Sequence, residues 1–127
     1  MEQPMKILVI DDDRPVREVV GLALEDAGYD ITTAESGEKG LKLAKDIEFD
    51  LVLSDIKMPG MNGVEVAKSL IASNYDGGII LMTAYPGEYS EDSVLSVGIN
   101  AYLKKPFKID ELLRVTESVL SSKRRGA

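Results

Sequence analysis

Residues 7–12 of the chain read ILVIDD, an uninterrupted apolar run that ends on two acidic side chains. Three later segments repeat this arrangement with other polar ends: LVLSD at residues 51–55, IILMT at residues 79–83 and AYLKKP at residues 101–106. Short apolar runs of this kind are typical of parallel strands that are buried on both faces. Because ligands of open α/β sheets bind at the carboxyl ends of the strands, the polar ends are predicted to converge.

Stretches with the spacing of amphipathic helices separate these runs. Apolar residues recur at helical intervals after Pro15 and stop at Gly28, and they recur again over residues 109–120. Ser36 is a typical N-cap for a helix that follows a short strand at residues 31–33. Two further helices are predicted, around residues 66–71 and 90–97.

Strands that alternate with helices in this way predict βαβ units. Right-handed crossovers then place helices on both faces of the sheet. The expected fold class is α/β, with a doubly wound, five-stranded parallel sheet and five helices. One domain is expected over residues 1–122, and residues 123–127 are expected to form a disordered basic tail or the start of a cut linker.

The composition limits the classes of function. The net charge of -7 argues against nucleic acid as a ligand of this domain, because phosphate backbones need a basic face. No apolar run approaches the roughly 20 residues of a membrane span, and no signal-peptide pattern is seen, so a cytoplasmic protein with no membrane partner is expected. The absence of cysteine fits a reducing compartment. The absence of histidine means that a phosphohistidine would have to come from another protein.

Three carboxylates are predicted to meet at the carboxyl edge of the sheet. Asp11 and Asp12 would repel each other by roughly 4 kcal/mol at about 4 Å and an effective dielectric near 20, and Asp55 adds to the repulsion. A hard divalent cation such as Mg²⁺ relieves it and leaves a place for phosphate oxygens. Helix capping is the alternative for these acids, and it is the preferred interpretation for Asp13, which comes just before Arg14-Pro15.

Asp55 ends an apolar run and precedes a segment dense in turn residues at 58–63. A carboxylate in this place would be exposed beside the metal and could attack phosphorus to form an acyl phosphate. The hydroxyl of Thr83 could donate to a phosphoryl oxygen, and Lys105 supplies positive charge for the same group. Taken singly, a threonine or lysine at a strand end is more often a turn residue or a solvated side chain. Their joint occurrence at the ends of consecutive strands indicates a phosphate-handling site.

Four motifs, in order along the chain, carry a resemblance to a known family. They are the Asp pair that follows residues 6–10, the segment SDIKMPGMNG at residues 54–63, Thr83-Ala84 and Lys105-Pro106-Phe107. From about Met5 to Leu120 the chain resembles the receiver domain of the bacterial two-component response regulators, of the chemotaxis-regulator type. The resemblance implies a flavodoxin-like sheet with the strand order 2-1-3-4-5.

The resemblance also implies a role for each site residue. Asp55 is the expected phosphoacceptor, and Thr83 and Lys105 are the expected hydroxyl and lysine of the catalytic site. The implied cofactor is Mg²⁺, held by three side chains and one backbone carbonyl: Asp12 directly, Asp11 mainly through water, Asp55, and the carbonyl of Lys57. A cis peptide bond is implied between Lys105 and Pro106.

The implied mechanism is transfer of a phosphoryl group to Asp55 from a phosphohistidine on a sensor histidine kinase or a histidine phosphotransfer protein. The chain would then be a signalling phosphoacceptor that catalyses only its own phosphorylation and dephosphorylation. Thr83 would move towards the phosphoryl group and Tyr102 would turn inward behind it; the alternative for Tyr102 is an ordinary strand aromatic. Lys57 and Tyr85 lie at positions that tune the phosphoryl lifetime in the family, and slow autodephosphorylation is expected.

Partners follow from the same resemblance. The surface of the fourth helix, fifth strand and fifth helix would bind a downstream protein or form a homodimer. The alternative is that the chain is a fragment of a longer regulator whose output domain is missing. The sequence does not identify the kinase, the stimulus or the output.

Two other interpretations start from the same residues. The stretch from Asp11 to Asp13 contains the Asp-x-Asp of phosphatases of the haloacid dehalogenase type, in which Asp11 would be the nucleophile and Asp13 the general acid. Against this, Arg14-Pro15 replaces the small residues expected after that motif, no paired acids follow the last strand, and the chain looks too short for a substrate cap. A pure binding module with a degenerate site is disfavoured because every matched position is filled.

Overall fold

Five strands and five helices alternate along residues 3–125, which are the residues that the computed structural model describes. The elements are β1 (Lys6–Ile10), α1 (Arg14–Asp26), β2 (Asp30–Ala34), α2 (Gly37–Asp46), β3 (Leu51–Asp55), α3 (Gly63–Ala72), β4 (Gly78–Thr83), α4 (Glu91–Leu95), β5 (Ala101–Lys104) and α5 (Ile109–Arg125). All strand pairs are parallel, and the order across the sheet is β2-β1-β3-β4-β5. The predicted doubly wound α/β fold is confirmed. None of the described helices is long and apolar enough to cross a membrane.

The sheet separates two apolar layers, because successive side chains of a strand point to opposite faces. Leu8 and Ile10 belong to the layer covered by α2, α3 and α4, whereas Ile7 and Val9 belong to the layer covered by α1 and α5. All four side chains are fully buried. Burial of a side chain of this size contributes about 1.5–3 kcal/mol. The two layers therefore hold the central strands, and with them the carboxyl ends of those strands, in a fixed register.

Side-chain caps begin α1, α2 and α3 shortly after the preceding strands end. Asp13 accepts a hydrogen bond from the backbone N–H of Val16 at 3.4 Å, and Ser36 accepts one from Lys39 at 3.1 Å. Asn62 and Glu65 form a reciprocal capping box at the start of α3, with both distances 2.9 Å. Each cap contributes about 1 kcal/mol. The predicted capping roles of Asp13 and Ser36 are confirmed.

The last two helices differ in length from the sequence pattern. Helix α4 ends at Leu95, two residues earlier than predicted, and the chain then turns through Gly98, whose φ is +112°. Helix α5 continues to Arg125, beyond the predicted end at 120. The backbone of residues 123–125 belongs to this helix. Residues 126 and 127 lie outside the described residues, so the division between domain and basic tail stays a prediction.

Thr116 is a buried polar residue in the middle of α5. It is fully inaccessible to solvent, and its hydroxyl oxygen has no hydrogen-bond partner among the described residues. A buried hydroxyl without a partner loses its hydration without compensation. We expect Thr116→Val, which keeps the shape of the side chain, to raise the free energy of unfolding by about 1 kcal/mol in urea titrations.

The matched control for this substitution is Thr33→Val on β2, where the same hydroxyl is exposed. It is expected to change the free energy of unfolding by less than about 0.5 kcal/mol. An unchanged or lower stability of Thr116→Val would contradict the prediction and show that the hydroxyl is hydrogen-bonded in solution.

Candidate functional site

The candidate site lies at the carboxyl edge of the sheet, where four strands end side by side. Asp11 directly follows β1, Asp55 ends β3 and Thr83 ends β4. The register aligns Asp55 with Met82 and Thr83 with Lys104, the last residue of β5. Because the strands are parallel and in register, side chains far apart in the sequence meet at one edge. The predicted convergence is confirmed.

Three carboxylates form an acidic cluster at this edge. Oxygen atoms of Asp11, Asp12 and Asp55 lie within 4.8 Å of one another; Asp11 and Asp55 are buried, and Asp12 is exposed. At this distance and an effective dielectric near 20, each charged pair repels by about 3 kcal/mol. The ligand set consists of oxygen atoms alone, open to solvent on the side of Asp12, which suits a hard divalent cation. The cluster could therefore hold a metal ion.

Lys105 supplies the positive charge of the site. Its Nζ lies 2.8 Å from Oδ2 of Asp11 and 3.2 Å from Oδ1 of Asp55, and its side chain is 16% exposed. The backbone N–H of Lys105 donates to the carbonyl of Thr83 at 2.8 Å, and the peptide bond to Pro106 is cis, as the resemblance implies. Burial by itself would lower the pKa of Lys105, but hydrogen bonds and charges of the two carboxylates together raise it. The ammonium group is therefore held in its charged form.

The carboxyl group of Asp55 is the strongly perturbed acid of the cluster. Burial raises its pKa to about 6, and the neighbouring charges of Asp11 and Asp12 act in the same direction, while Lys105 opposes them. Asp55 is 8% exposed, and it also lines the surface cleft in front of the site. The group is thus ionised at neutral pH, accessible from the cleft, and less stable as an anion than an ordinary aspartate.

Both carboxylate oxygens and the backbone carbonyl of Asp11 accept hydrogen bonds. Its Oδ1 accepts from the backbone N–H of Asp13 at 2.9 Å, and its Oδ2 accepts from Lys105. Arg17 on α1 donates from Nη1 to the backbone carbonyl of Asp11 at 2.8 Å. The contact of Arg17 was not predicted; the signal in the sequence was a basic side chain near the N-terminus of a helix, where the helix dipole disfavours positive charge. Asp11 is fully buried and Asp13 caps a helix, which argues against the phosphatase assignment of these two residues.

The cleft has a volume of about 560 Å³ and exposes part of the predicted site. Its lining combines acidic, basic, apolar and aromatic side chains: Asp12, Asp13, Val16, Asp55, Lys57, Met58, Pro59, Ala84, Tyr85 and Lys105. Thr83 is fully buried behind it, and its hydroxyl oxygen accepts a hydrogen bond from the backbone N–H of Tyr85 at 2.8 Å. The threonine therefore holds the loop after β4 while its own hydroxyl proton remains available for a further acceptor.

Tyr102 connects β5 to the loop that precedes α4. Its side chain is partly buried, and its hydroxyl donates to the backbone carbonyl of Tyr89. Burial and the nearby charge of Glu91 raise the pKa of Tyr102, so the hydroxyl stays protonated and able to donate. The side chain is thus hydrogen-bonded to the loop before α4; its role as a switch stays a prediction.

Comparison with known proteins identifies the family. The family model described as "Response regulator receiver domain" matches residues 7–117. Response regulator MprA of Mycolicibacterium vanbaalenii is 36% identical over 117 residues, which covers 92% of this chain and 51% of that protein. The phosphate regulon transcriptional regulatory protein PhoB of Pseudomonas aeruginosa is 37% identical over 116 residues, which covers 90% of this chain and 51% of that protein.

Solved structures of response regulators have the same fold as this chain. The response regulator TrrA of Thermotoga maritima, in complex with Mg²⁺–BeF, superposes with a TM-score of 0.82 at 39% identity over 91% of this chain and 98% of that chain. A CheY-like receiver domain protein of Methanospirillum hungatei gives a TM-score of 0.92 at 27% identity over 98% of this chain and 99% of that chain. The chain belongs to the response regulator receiver domain family, the signalling domains of two-component systems. It spans about half the length of the curated relatives it matches.

The raised pKa of Asp55 predicts a specific dependence of stability on pH. Between the ordinary value of 3.8 and about 6, the folded protein holds a proton that the unfolded chain releases, so stability falls as the pH rises through this window. Asp55→Asn has no carboxyl group to ionise at this position and therefore avoids the loss of stability. In metal-free buffer at pH 7.5 we expect the variant to exceed the wild type in free energy of unfolding by about 1–3 kcal/mol, with a smaller difference at pH 4.5.

Urea titrations at both pH values, in the presence of EDTA, measure this difference. Glu117→Gln on the exposed face of α5 is the matched control and should show no such pH-dependent gain. Equal stability of wild type and Asp55→Asn at both pH values would contradict the raised pKa.

Proposed function

We propose that Asp55 is a phosphoacceptor that receives a phosphoryl group from a phosphohistidine on a sensor histidine kinase or a histidine phosphotransfer protein. The observation that carries this proposal is the meeting of an accessible carboxylate, two further acids and the Lys105 ammonium at one sheet edge. Residues 1–127 contain no histidine, so the donor imidazole lies outside them. Membership of the receiver domain family supports the same assignment.

The proposed cofactor is Mg²⁺. The residues that would hold it are Asp12 and Asp55 through their carboxylates, the backbone carbonyl of Lys57, and Asp11 mainly through water. Both carboxylate oxygens of Asp11 are already engaged by Asp13 and Lys105, which agrees with an indirect contact. When bound, the ion would offset the repulsion within the cluster and the negative charge of the phosphoryl oxygens. The solved complex of the relative TrrA with Mg²⁺–BeF supports this choice of ion.

The chain's own residues would act on the phosphoryl group by position and charge. A carboxylate oxygen of Asp55 forms the new bond to phosphorus while the bond from phosphorus to the donor nitrogen breaks, and the imidazole keeps that electron pair. Lys105, 3.2 Å from Asp55, neutralises charge on the transferred group. The protein thereby catalyses its own phosphorylation rather than the turnover of a free substrate.

The proposed signal leaves the site through Thr83 and Tyr102. Thr83 has a hydroxyl proton to donate to a phosphoryl oxygen, and its oxygen holds the backbone of Tyr85. Movement of that loop would displace Tyr89, whose carbonyl accepts from the Tyr102 hydroxyl. The surface of α4, β5 and α5 would then change its affinity for a downstream protein, an output domain or a second copy of the chain. The domain would act in the cytoplasm, where sensor kinases draw on ATP.

Phosphorylation is tested by intact mass after incubation with acetyl phosphate and Mg²⁺. We expect wild type to gain one phosphoryl group, because Asp55 is accessible from the cleft and flanked by Lys105. The gain should be lost in Asp55→Asn and in the presence of EDTA. The proposal fails if no adduct forms and phosphate is instead released steadily by Asp55→Asn but not by Asp11→Asn, since that pattern would assign the nucleophile to Asp11.

Metal binding is tested by thermal unfolding with and without Mg²⁺. Binding to the folded state alone stabilises by about 2.7 kcal/mol at a concentration one hundred times the dissociation constant. Wild type is therefore expected to gain several degrees in Tm, and Asp12→Asn to lose most of the gain. Asp26→Asn, an exposed acid at the end of α1, is the control and should respond as wild type does. The absence of any shift in wild type would contradict a metal site.

A further inference from the structure

Two loops beside the cleft are joined by a contact between exposed side chains. Lys57, in the loop after β3, points its Nζ to within 3.2 Å of Oε1 of Glu88, in the loop after β4. The same Nζ lies 4.3 Å from the centre of the Tyr85 ring. Lys57 and Tyr85 line the cleft in front of Asp55. Lys57, Tyr85 and Glu88 together form a cluster, termed the clasp.

We propose that Glu88 is a positioning residue that holds Lys57 against Tyr85 and thereby slows hydrolysis of the phosphoryl group on Asp55. The inference rests on the proposed function of Asp55 and extends it to the lifetime of the phosphorylated state. Glu88 does not touch the phosphoryl group in this proposal. It acts through Lys57 alone.

The backbone on both sides of the clasp is anchored. The N–H of Tyr85 donates to the buried Thr83 hydroxyl, and the N–H groups of Glu88 and Tyr89 donate to the carbonyl of Tyr85 at 3.0 and 3.1 Å. On the other side, Lys57 lies between the buried residues Ile56 and Met58. The loops are therefore held at their bases, and the ion pair with Glu88 decides where the flexible lysine side chain rests.

The position of Lys57 and Tyr85 matters because hydrolysis requires access from the cleft. In that step a water oxygen bonds to phosphorus as the bond to the Asp55 oxygen breaks. The carboxylate keeps the electron pair, and the water proton passes to solvent. Attack occurs in line with the breaking bond, which places the incoming water on the open side of the site. Tyr85 and Lys57, whose Nζ lies over the tyrosine ring, both line the cleft through which the water would approach.

Loss of Glu88 leaves the lysine without its anionic partner and frees it to leave the ring. Lys57 and Glu88 are about half exposed, and exposed ion pairs contribute little energy. The expected effect on the hydrolysis rate is therefore about two- to fivefold, not orders of magnitude. Salt screens such a pair, so a high salt concentration should imitate the loss of Glu88.

The test follows the decay of phosphorylated protein by intact mass, after labelling with acetyl phosphate and Mg²⁺ and removal of the donor. Glu88→Gln, which keeps the size of the side chain, is expected to decay about two- to fivefold faster than wild type. Lys57→Met is expected to decay faster as well, and the double variant no faster than Lys57→Met. Asp92→Asn removes an equal charge from α4 and should decay as wild type does.

Decay at high salt and the Tm of the variants distinguish a positioning role of Glu88 from a purely structural one. High salt should speed the decay of wild type and leave Glu88→Gln unchanged, and the Tm of the unphosphorylated variants should match wild type. Decay of Glu88→Gln at the wild-type rate overturns the inference, and so does an equal acceleration by Glu88→Gln in the Lys57→Met background, because Glu88 would then act without the lysine. Failure of wild type to form any adduct overturns the proposed function and this inference together.

Discussion

The ammonium group of Lys105 makes it possible for two buried carboxylates to share one end of the sheet. A buried carboxylate without a partner is strongly destabilising, and Asp11 is fully inaccessible to solvent. Lys105 contacts both Asp11 and Asp55, although it lies 94 residues after the first of them. The contact also joins the end of β5 to the loop after β1, two strands that are not neighbours in the sheet. Lys105 therefore both balances charge in the site and links the end of β5 to the loop after β1.

Lys105 neutralises only part of the negative charge of the three acids. The negative charge that remains suits a site for metal-assisted phosphoryl transfer. Lys105 lowers the pKa of Asp55, but burial and the two neighbouring acids outweigh it. The site thus keeps an excess of negative charge within 4.8 Å, which a divalent cation would remove. The raised pKa of Asp55 implies that its ionisation at neutral pH lowers the free energy of unfolding when no cation is bound.

The buried and exposed residues of the site differ in how firmly the fold holds them. Asp11, Thr83 and Lys105 are held rigidly by the strand ends and by backbone hydrogen bonds, so their geometry follows from the sheet. The clasp lies on exposed loops, where a change of one side chain alters the cleft without disturbing the core. Under the proposed role of Glu88, exposed loop residues set the lifetime of the phosphorylated state while the geometry of the buried residues stays the same.

The sequence by itself determined the order and type of the elements, the caps at Asp13 and Ser36, and the polar residues that end the strands, because hydrophobic periodicity and capping are local properties. It misjudged the ends of α4 and α5, where propensity and packing compete. Only the tertiary structure revealed that Arg17 supports Asp11, that Lys57 pairs with Glu88, and that the Tyr102 hydroxyl reaches the loop before α4. These contacts join residues from separate loops and elements, and their partners depend on loop conformation, which no local pattern of residues specifies.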